Sequence, residues 1–180
     1  MLDNEQNIIE RAINGDEKAF GLLYSHYQPQ IYRFIYIKVS KKEKAEDLTH
    51  QVFLKAWQSI GRFTYQKLPL SSWLYRIARN QVIDVYRTQK IELDIEKIQE
   101  VASEDKKVED EIDLKKEVEK IKSAIQKLKP DQQDVIIMRY IEELSPQEIA
   151  LALKKTPTAI RIIQHRALKS LRRILEYEEY

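Results

Sequence analysis

The 180-residue chain has no cysteine, only three glycines, five prolines and three histidines. Without thiols there can be no disulfide and no thiolate metal site. His26, His50 and His165 are too scattered along the chain to suggest a zinc site. The shortage of Gly and Pro leaves few places for tight turns and favours helices joined by short loops. No apolar run approaches the roughly 20 residues of a membrane span, so no membrane insertion is expected. The opening Met1-Leu2-Asp3-Asn4-Glu5 lacks the basic and apolar regions of a signal peptide, which makes the cytoplasm the expected compartment. There is no phosphate-cradling glycine loop, metal-ligand cluster or Ser/Cys nucleophile motif, so neither a cofactor nor a catalytic residue is expected.

What the chain has is charge, and the charge is patterned. The formal net charge of +2 divides into 14 basic against 9 acidic residues over 1–90, 4 against 10 over 91–115, and 13 against 10 over 116–180. The segments carry +5, −6 and +3. Two basic blocks flanking an acidic joint fit two surfaces that meet nucleic acid and a connector that avoids it; a solvated charge run in a linker explains the joint equally well.

Apolar positions recur at helical spacing almost throughout, with no sustained period-two alternation, which predicts an all-α protein. Ala45, Leu48, Val52, Ala56 and Ser59 share one side of a helix, widened by Phe53, Trp57 and Ile60. Leu74, Ile77, Ala78 and Val85 do the same for a helix that Ser71 or Ser72 could cap. Gly61 to Leu70 reads as a loop. Residues 93–116 read as an acidic, partly helical linker, dividing the chain into small helical domains over 1–92 and 117–180. In the second, Val118, Ile121, Ile125 and Leu128 form a stripe that Pro130 terminates.

Leu144-Ser145-Pro146-Gln147-Glu148-Ile149 is a dense helix-start signal, with Ser145 as N-cap, Pro146 at the first helical position, Glu148 closing a capping box and Leu144 stapled to Ile149. Thr156-Pro157 starts another helix after a very short turn, which is helix-turn-helix spacing; an ordinary helical hairpin would share that spacing. At 100° per residue, Ile160, Ile163, Ala167, Leu171 and Ile174 fall on one side of the last helix and Thr158, His165, Arg166, Lys169, Arg172 and Arg173 on the other. A basic face of this kind neutralises phosphates while side chains near the helix start, Arg161 and His165 above all, reach base edges. Ile162 lies within the polar face, where it could meet a thymine methyl.

Of sixteen aromatic residues, thirteen precede residue 91, and most read as core. Phe63 and Tyr65 differ: they sit in the expected loop beside Arg62 and Lys67, and rings among cations suit unstacked bases. The helix after the loop turns Arg76, Asn80, Ile83 and Arg87 outward, with Arg79 and Tyr86 on its shoulder, a face able to track a strand and bond a base. The helix from Ala45 carries Asp47, His50, Gln51, Leu54 and Gln58 opposite its apolar stripe, a polar mixture suited to a protein partner.

These strings together resemble the extracytoplasmic-function (ECF) sigma factors of bacterial RNA polymerase. Gly15-Asp16 with Ala19-Phe20, Leu23-Tyr24 and Tyr27 is similar to the family's opening helix, and Ala45-Glu46-Asp47-Leu48 with Val52-Phe53 and Trp57 to its polymerase-gripping helix. Trp73-Leu74, Ile77-Ala78-Arg79-Asn80, Asp84 and Arg87 resemble the promoter-melting and downstream-element helix. Leu144-Ser145, Glu148-Ile149-Ala150, His165-Arg166-Ala167-Leu168 and Leu171-Arg172 resemble the helix-turn-helix that reads the −35 element. The resemblance implies a sigma region 2 domain, a linker and a sigma region 4 domain. It implies core RNA polymerase and promoter DNA, duplex and opened, as partners, and adds an anti-sigma protein as a candidate inhibitor. The implied polymerase contacts are Asp47, His50, Gln51 and Leu54. The implied downstream-element contacts are Arg62, Phe63, Tyr65, Arg76, Arg79, Asn80 and Arg87, and the upstream ones Thr158, Arg161, Ile162, His165, Arg166 and Lys169. The chain departs from the pattern at His50-Gln51, where the family usually has Gln followed by an acid, at Lys154, where the turn commonly has Gly, and at Ile163, which replaces a frequent Arg. A free-standing helix-turn-helix repressor or activator is the competing reading; it would need a ligand pocket or dimer face in the first domain.

Overall fold

The computed structural model describes residues 4–64, 68–95 and 112–177, and among them every regular element is helical. In chain order these are α1 (Glu5–Ile13), α2 (Glu17–Val39), α3 (Lys42–Ser59), α4 (Leu70–Ile95), α5 (Ile112–Gln126), α6 (Pro130–Ile136), α7 (Pro146–Leu153) and α8 (Pro157–Tyr177). A three-ten turn over Ile60–Arg62 follows α3, and a π-helical turn over Ile137–Ile141 extends α6.

The helix boundaries follow local chemistry. Asp16 caps α2 by accepting from the backbone N–H groups of Lys18 and Ala19 at 2.9 and 3.1 Å, while Arg11 clamps its other oxygen at 2.6 Å. These bonds hold the Asp16 carboxyl below the usual carboxylate range, with the Ala19 amide contributing most and Arg11 next. Pro130 opens α6 at its first position, Lys129 being the N-cap, so this proline starts a helix where the sequence suggested only an end.

In the first half, α2, α3 and α4 pack around Leu23, Ile31, Phe34, Leu48, Val52, Leu74 and Ala78, and α1 closes the end with Ile9 and Ala12. In the second, α6, α7 and α8 enclose Val135, Ile137, Ile149, Leu153, Ile160 and Ala167. The two halves join in one continuous buried core, with α7 lying against α4 and α5 against α2. That contact corrects three sequence expectations. Ser72 is an interior residue of α4 and not its cap; it is buried and its hydroxyl donates to the Glu148 carbonyl of α7 at 3.0 Å. Arg76 and Arg79 are turned toward the second half and not to solvent. Val118 and Ile121 remain about half exposed, and only Ile125 and Leu128 of that stripe reach the core. The cause in each case is tertiary: a helical stripe read from sequence says which face is apolar, not which neighbour covers which part of it.

The two helices of the helix-turn-helix, α7 and α8, are each capped at their start. Ser145 Oγ accepts from Glu148 N at 3.2 Å while the Glu148 carboxylate accepts from Ser145 N at 2.8 Å, the reciprocal capping box. Thr156 Oγ1 accepts from Ala159 N at 3.1 Å and starts α8. Between them Lys154 ends α7 with φ 53°, in the left-handed region, where a β-carbon is a strain that glycine avoids. Lys154→Gly should therefore stabilise this domain by up to about 1 kcal/mol, the relief of strain being partly offset by glycine's larger unfolded-state entropy. Thermal unfolding checks it, and a lowered melting temperature would refute the account.

Candidate protein and nucleic-acid interface

Three surfaces carry the residues singled out by sequence. On α3, Asp47, His50 and Leu54 are exposed and Gln51 is half-buried, bonded through its side-chain amide to Asp47 at 2.8 Å. Leu48, Val52 and Ala56 on the opposite side are buried, so the face is fixed by the core behind it. Leu54 is 48% exposed at its centre, a large apolar side chain held in water by a rigid helix.

On α8, Ile160 and Ala167 are fully buried and fix the helix's rotation, leaving Thr158, Arg161, Ile162, His165, Arg166 and Lys169 all exposed. Six predicted positions therefore lie on one open helix face. Behind it the Gln164 side-chain amide donates to the Tyr140 hydroxyl at 2.8 Å, which braces α8 against the π-helical turn. Sequence reasoning missed Tyr140, because nothing local announces a π turn.

The third surface, α4 with the turn before it, is divided. Arg62, Asn80, Ile83 and Arg87 are exposed as expected. Phe63 is not: it is buried against Trp73, ring centroids 4.9 Å apart, and belongs to the core. The physical reason is that the three-ten turn ends at Arg62 and Phe63 leaves it in an extended conformation, with its amide donating back to Ile60. Tyr65 lies outside the described residues, as do residues 96–111 of the expected linker.

Arg76 and Arg79 are engaged by the second domain. The Arg76 guanidinium donates to the Leu151 and Ala152 carbonyls in the last turn of α7, where orphan carbonyls and the helix dipole favour a cation. Arg79 donates Nε–H to Asp134 at 2.7 Å and Nη2–H to Asp131 at 2.8 Å. Asp134 also pairs with Lys38 of α2, and both of those side chains are almost completely buried, at 1% and 3% exposure. Lys155 joins Asp131 at 3.1 Å from the other side. Burial alone would raise the Asp131 carboxyl, but the bonds from Lys155 and Arg79 outweigh it and hold the group below its usual 3.8. Its contribution to the seam is thus complete above that ordinary value and is lost as pH falls through the lowered one. Burial likewise works against the Arg79 charge, and the bonds to Asp134 and Asp131 offset it, so this guanidinium stays cationic.

Further along the seam, Arg33 of α2 makes a two-pronged bond to Glu142 after the π turn, both contacts 2.7 Å, and the Glu142 side chain is 1% exposed. The Gln126 side-chain amide donates to the Ile37 carbonyl at 2.7 Å, and the Lys122 ammonium sits 4.2 Å over the Tyr36 ring. None of Asp131, Asp134 or Glu142 carries a sequence signal for this role, since each is an ordinary acid in a helical segment.

Among the described residues no group of His, Cys, Asp and Glu could hold a metal ion, and no helix is long and apolar enough to cross a membrane.

Comparison with known proteins bears on both halves. Residues 23–91 match the family model for Sigma-70 region 2, and residues 124–173 that for Sigma-70, region 4. The chain is 35% identical over 170 residues to the ECF RNA polymerase sigma factor BldN of Streptomyces coelicolor, covering 93% of this chain and 64% of that protein. It thus spans somewhat less than two thirds of that relative's length. It is 31% identical to the ECF RNA polymerase sigma factor SigX of Bacillus subtilis over 89% of this chain and 85% of SigX. The fold is shared with CnrH, solved in complex with the cytosolic domain of CnrY, at a TM-score of 0.73 and 21% identity, covering 96% of this chain and 97% of CnrH. It is shared also with the sigma factor RpoE of Bartonella quintana, solved with the anti-sigma factor NepR, at a TM-score of 0.71 and 26% identity, covering 88% and 98%.

Proposed function

The chain belongs to the ECF sigma factors of RNA polymerase, and from that membership we propose how its surfaces divide the work of initiation. The α3 face of Asp47, His50, Gln51 and Leu54 docks on core RNA polymerase. The α8 face of Thr158, Arg161, Ile162, His165, Arg166 and Lys169 reads the upstream promoter element as duplex. The α4 face, through Arg62, Asn80 and Arg87, with Arg76 and Arg79 once they are released from the second domain, holds the downstream element as it opens. Domains of 1–92 and 117–180, joined by an acidic linker over 93–116, let the two DNA surfaces reach separate elements. The protein works by binding alone, without chemistry of its own, and acts in the cytoplasm where its polymerase is. An anti-sigma protein is a candidate partner, by extension from the RpoE neighbour that was solved with one. Both matched regions are sigma regions, and this sets aside the free-standing repressor.

The observation that carries the reading is the open basic face of α8 on a doubly capped helix-turn-helix. Purified protein mixed with core polymerase and genomic fragments should yield specific transcripts, and their start sites would define both promoter elements. Absence of any specific transcript in the presence of a stable complex would overturn the promoter-reading role. Arg166→Ala and Lys169→Ala should each weaken promoter binding and flatten its salt dependence, by up to about one unit of log-log slope per lost phosphate contact. Unchanged affinity and slope in both would take α8 out of the interface.

A further inference from the structure

We infer that Tyr140 is a DNA contact outside the helix-turn-helix: its hydroxyl donates to a backbone phosphate on the wall of the groove that α8 enters, and Gln164 is the positioning residue that aims it. The inference deepens the upstream-element reading and rests on the assignment of the α8 face to duplex DNA.

Tyr140 lies in the π-helical turn over Ile137–Ile141, a kind of turn that admits an extra residue and so re-aims the side chains around it. The turn is pinned. Glu142 N donates to the Ile137 carbonyl at 3.0 Å, the Arg139 guanidinium donates to the Leu144 carbonyl at 3.0 Å, and Ile137 and Met138 are fully buried beneath it. Tyr140 itself is 50% exposed, so core packing does not account for the ring. Its hydroxyl accepts from the Gln164 amide at 2.8 Å, and among the described residues no acceptor takes its proton. An amide nitrogen can only donate, so the phenol keeps its own O–H for another partner. A phosphate oxygen is such an acceptor, and tyrosine hydroxyls are among the groups that bond phosphate without reading sequence.

The place in the fold suits a phosphate. At about 100° per residue, Gln164 stands about 60° round α8 from Arg161, between that exposed cation and the buried Ile160 and Ala167. Tyr140 therefore flanks the reading face on the Arg161 side and is set back from its tip. A major groove is about 12 Å wide and about 8.5 Å deep, and a helix with its side chains nearly fills that width. What stands beside an inserted helix thus meets the phosphate walls and not the base edges. Tyrosine has only two side-chain torsions, and with Gln164 already holding the hydroxyl, little freedom is lost on contact.

Tyr140→Phe removes one oxygen from an exposed ring and should leave circular dichroism and melting as in the parent protein. Holoenzyme assembled with it should bind a promoter duplex, taken from the transcripts mapped above, about tenfold more weakly, as expected for losing a hydrogen bond to a charged acceptor. The slope against salt should stay the same, because a neutral hydroxyl displaces no counterion, whereas Arg166→Ala lowers affinity and slope together. Single methylphosphonates along the upstream element, each removing one phosphate charge, locate the contact. At one position the loss already suffered by the parent protein should absorb the loss due to Tyr140→Phe, and elsewhere the two should multiply. Gln164→Met keeps the length of the side chain and removes the amide; it should cost roughly threefold, less than Tyr140→Phe, since the hydroxyl remains but is no longer held. Unchanged affinity in Tyr140→Phe, or a flattened salt slope, would overturn the contact. A loss of the same factor on every methylphosphonate duplex would also overturn it, because the hydroxyl then only braces α8. Gln164→Met binding like the parent protein would remove the positioning role. If Arg166→Ala and Lys169→Ala also bind like the parent, it is the assignment of α8 that fails, and the inference falls with it.

Discussion

Leu54→Arg should abolish binding to core RNA polymerase while leaving helical content and melting temperature nearly unchanged. Leu54 is 48% exposed at the centre of the α3 face, with Gln51 about one turn and Asp47 about two turns before it, bonded to each other. An exposed site accepts a charge in the free protein at little cost. In a docked complex the same guanidinium would be forced into a desolvated pocket shaped for an apolar side chain. Central apolar anchors of this kind are worth 2 kcal/mol or more, so the affinity should fall by about thirtyfold at least. Co-migration with core polymerase in size-exclusion chromatography reads the loss directly, with circular dichroism as the control for folding. An unfolded variant would mean that Leu54 supports the core after all, against its exposure, and retained binding would remove α3 from the polymerase interface.

Much of this molecule was legible in its sequence, and the reason is that its information is local. Capping residues announced α7 and α8 because Ser145, Glu148 and Thr156 bond backbone groups within three residues of themselves. Helical periodicity placed Val52 inward and Leu54 outward on α3, and Ile160 inward and Arg161 outward on α8, because one buried stripe fixes a helix's rotation. What sequence did not show is the seam. The Asp134 carboxylate meets Lys38 and Arg79 across sequence separations of 96 and 55 residues, and no pattern in a single sequence marks such a pairing. The same blindness turned Arg76 outward and put Arg79 on the shoulder of the outward face, since a cationic stripe facing a second domain is indistinguishable from one facing water. Phe63 was misplaced for a related reason: its neighbours Arg62 and Gly61 read as a loop, whereas a three-ten turn carries its ring inward onto Trp73.

That last displacement sets the sharpest test of the downstream-element face. With Phe63 buried against Trp73, Phe63→Ala should empty part of the core and destabilise the first domain by about 3–5 kcal/mol, the usual range for deleting a buried phenyl ring. The variant should lose polymerase binding, promoter binding and promoter opening together as it melts. A template carrying a pre-opened mismatch bubble should not rescue it, since the defect is in folding. Asn80→Ala should behave in the opposite way. Asn80 is exposed on α4, has no core role, and its removal should leave melting temperature and recruitment to duplex promoter intact. What it should lose is strand capture: the hydrogen bonds its amide would make to one unstacked base help offset the cost of unpairing. A loss of about 1 kcal/mol there cuts the open fraction roughly fivefold. Permanganate footprints of promoter complexes should accordingly lose thymine reactivity around the start site in Asn80→Ala, and the bubble template should restore most of the transcription, because the duplex no longer has to be opened. If instead Phe63→Ala melts like the parent protein and is rescued by the bubble, the ring leaves the core to stack on a base in the open complex, and its packing on Trp73 describes only the free chain.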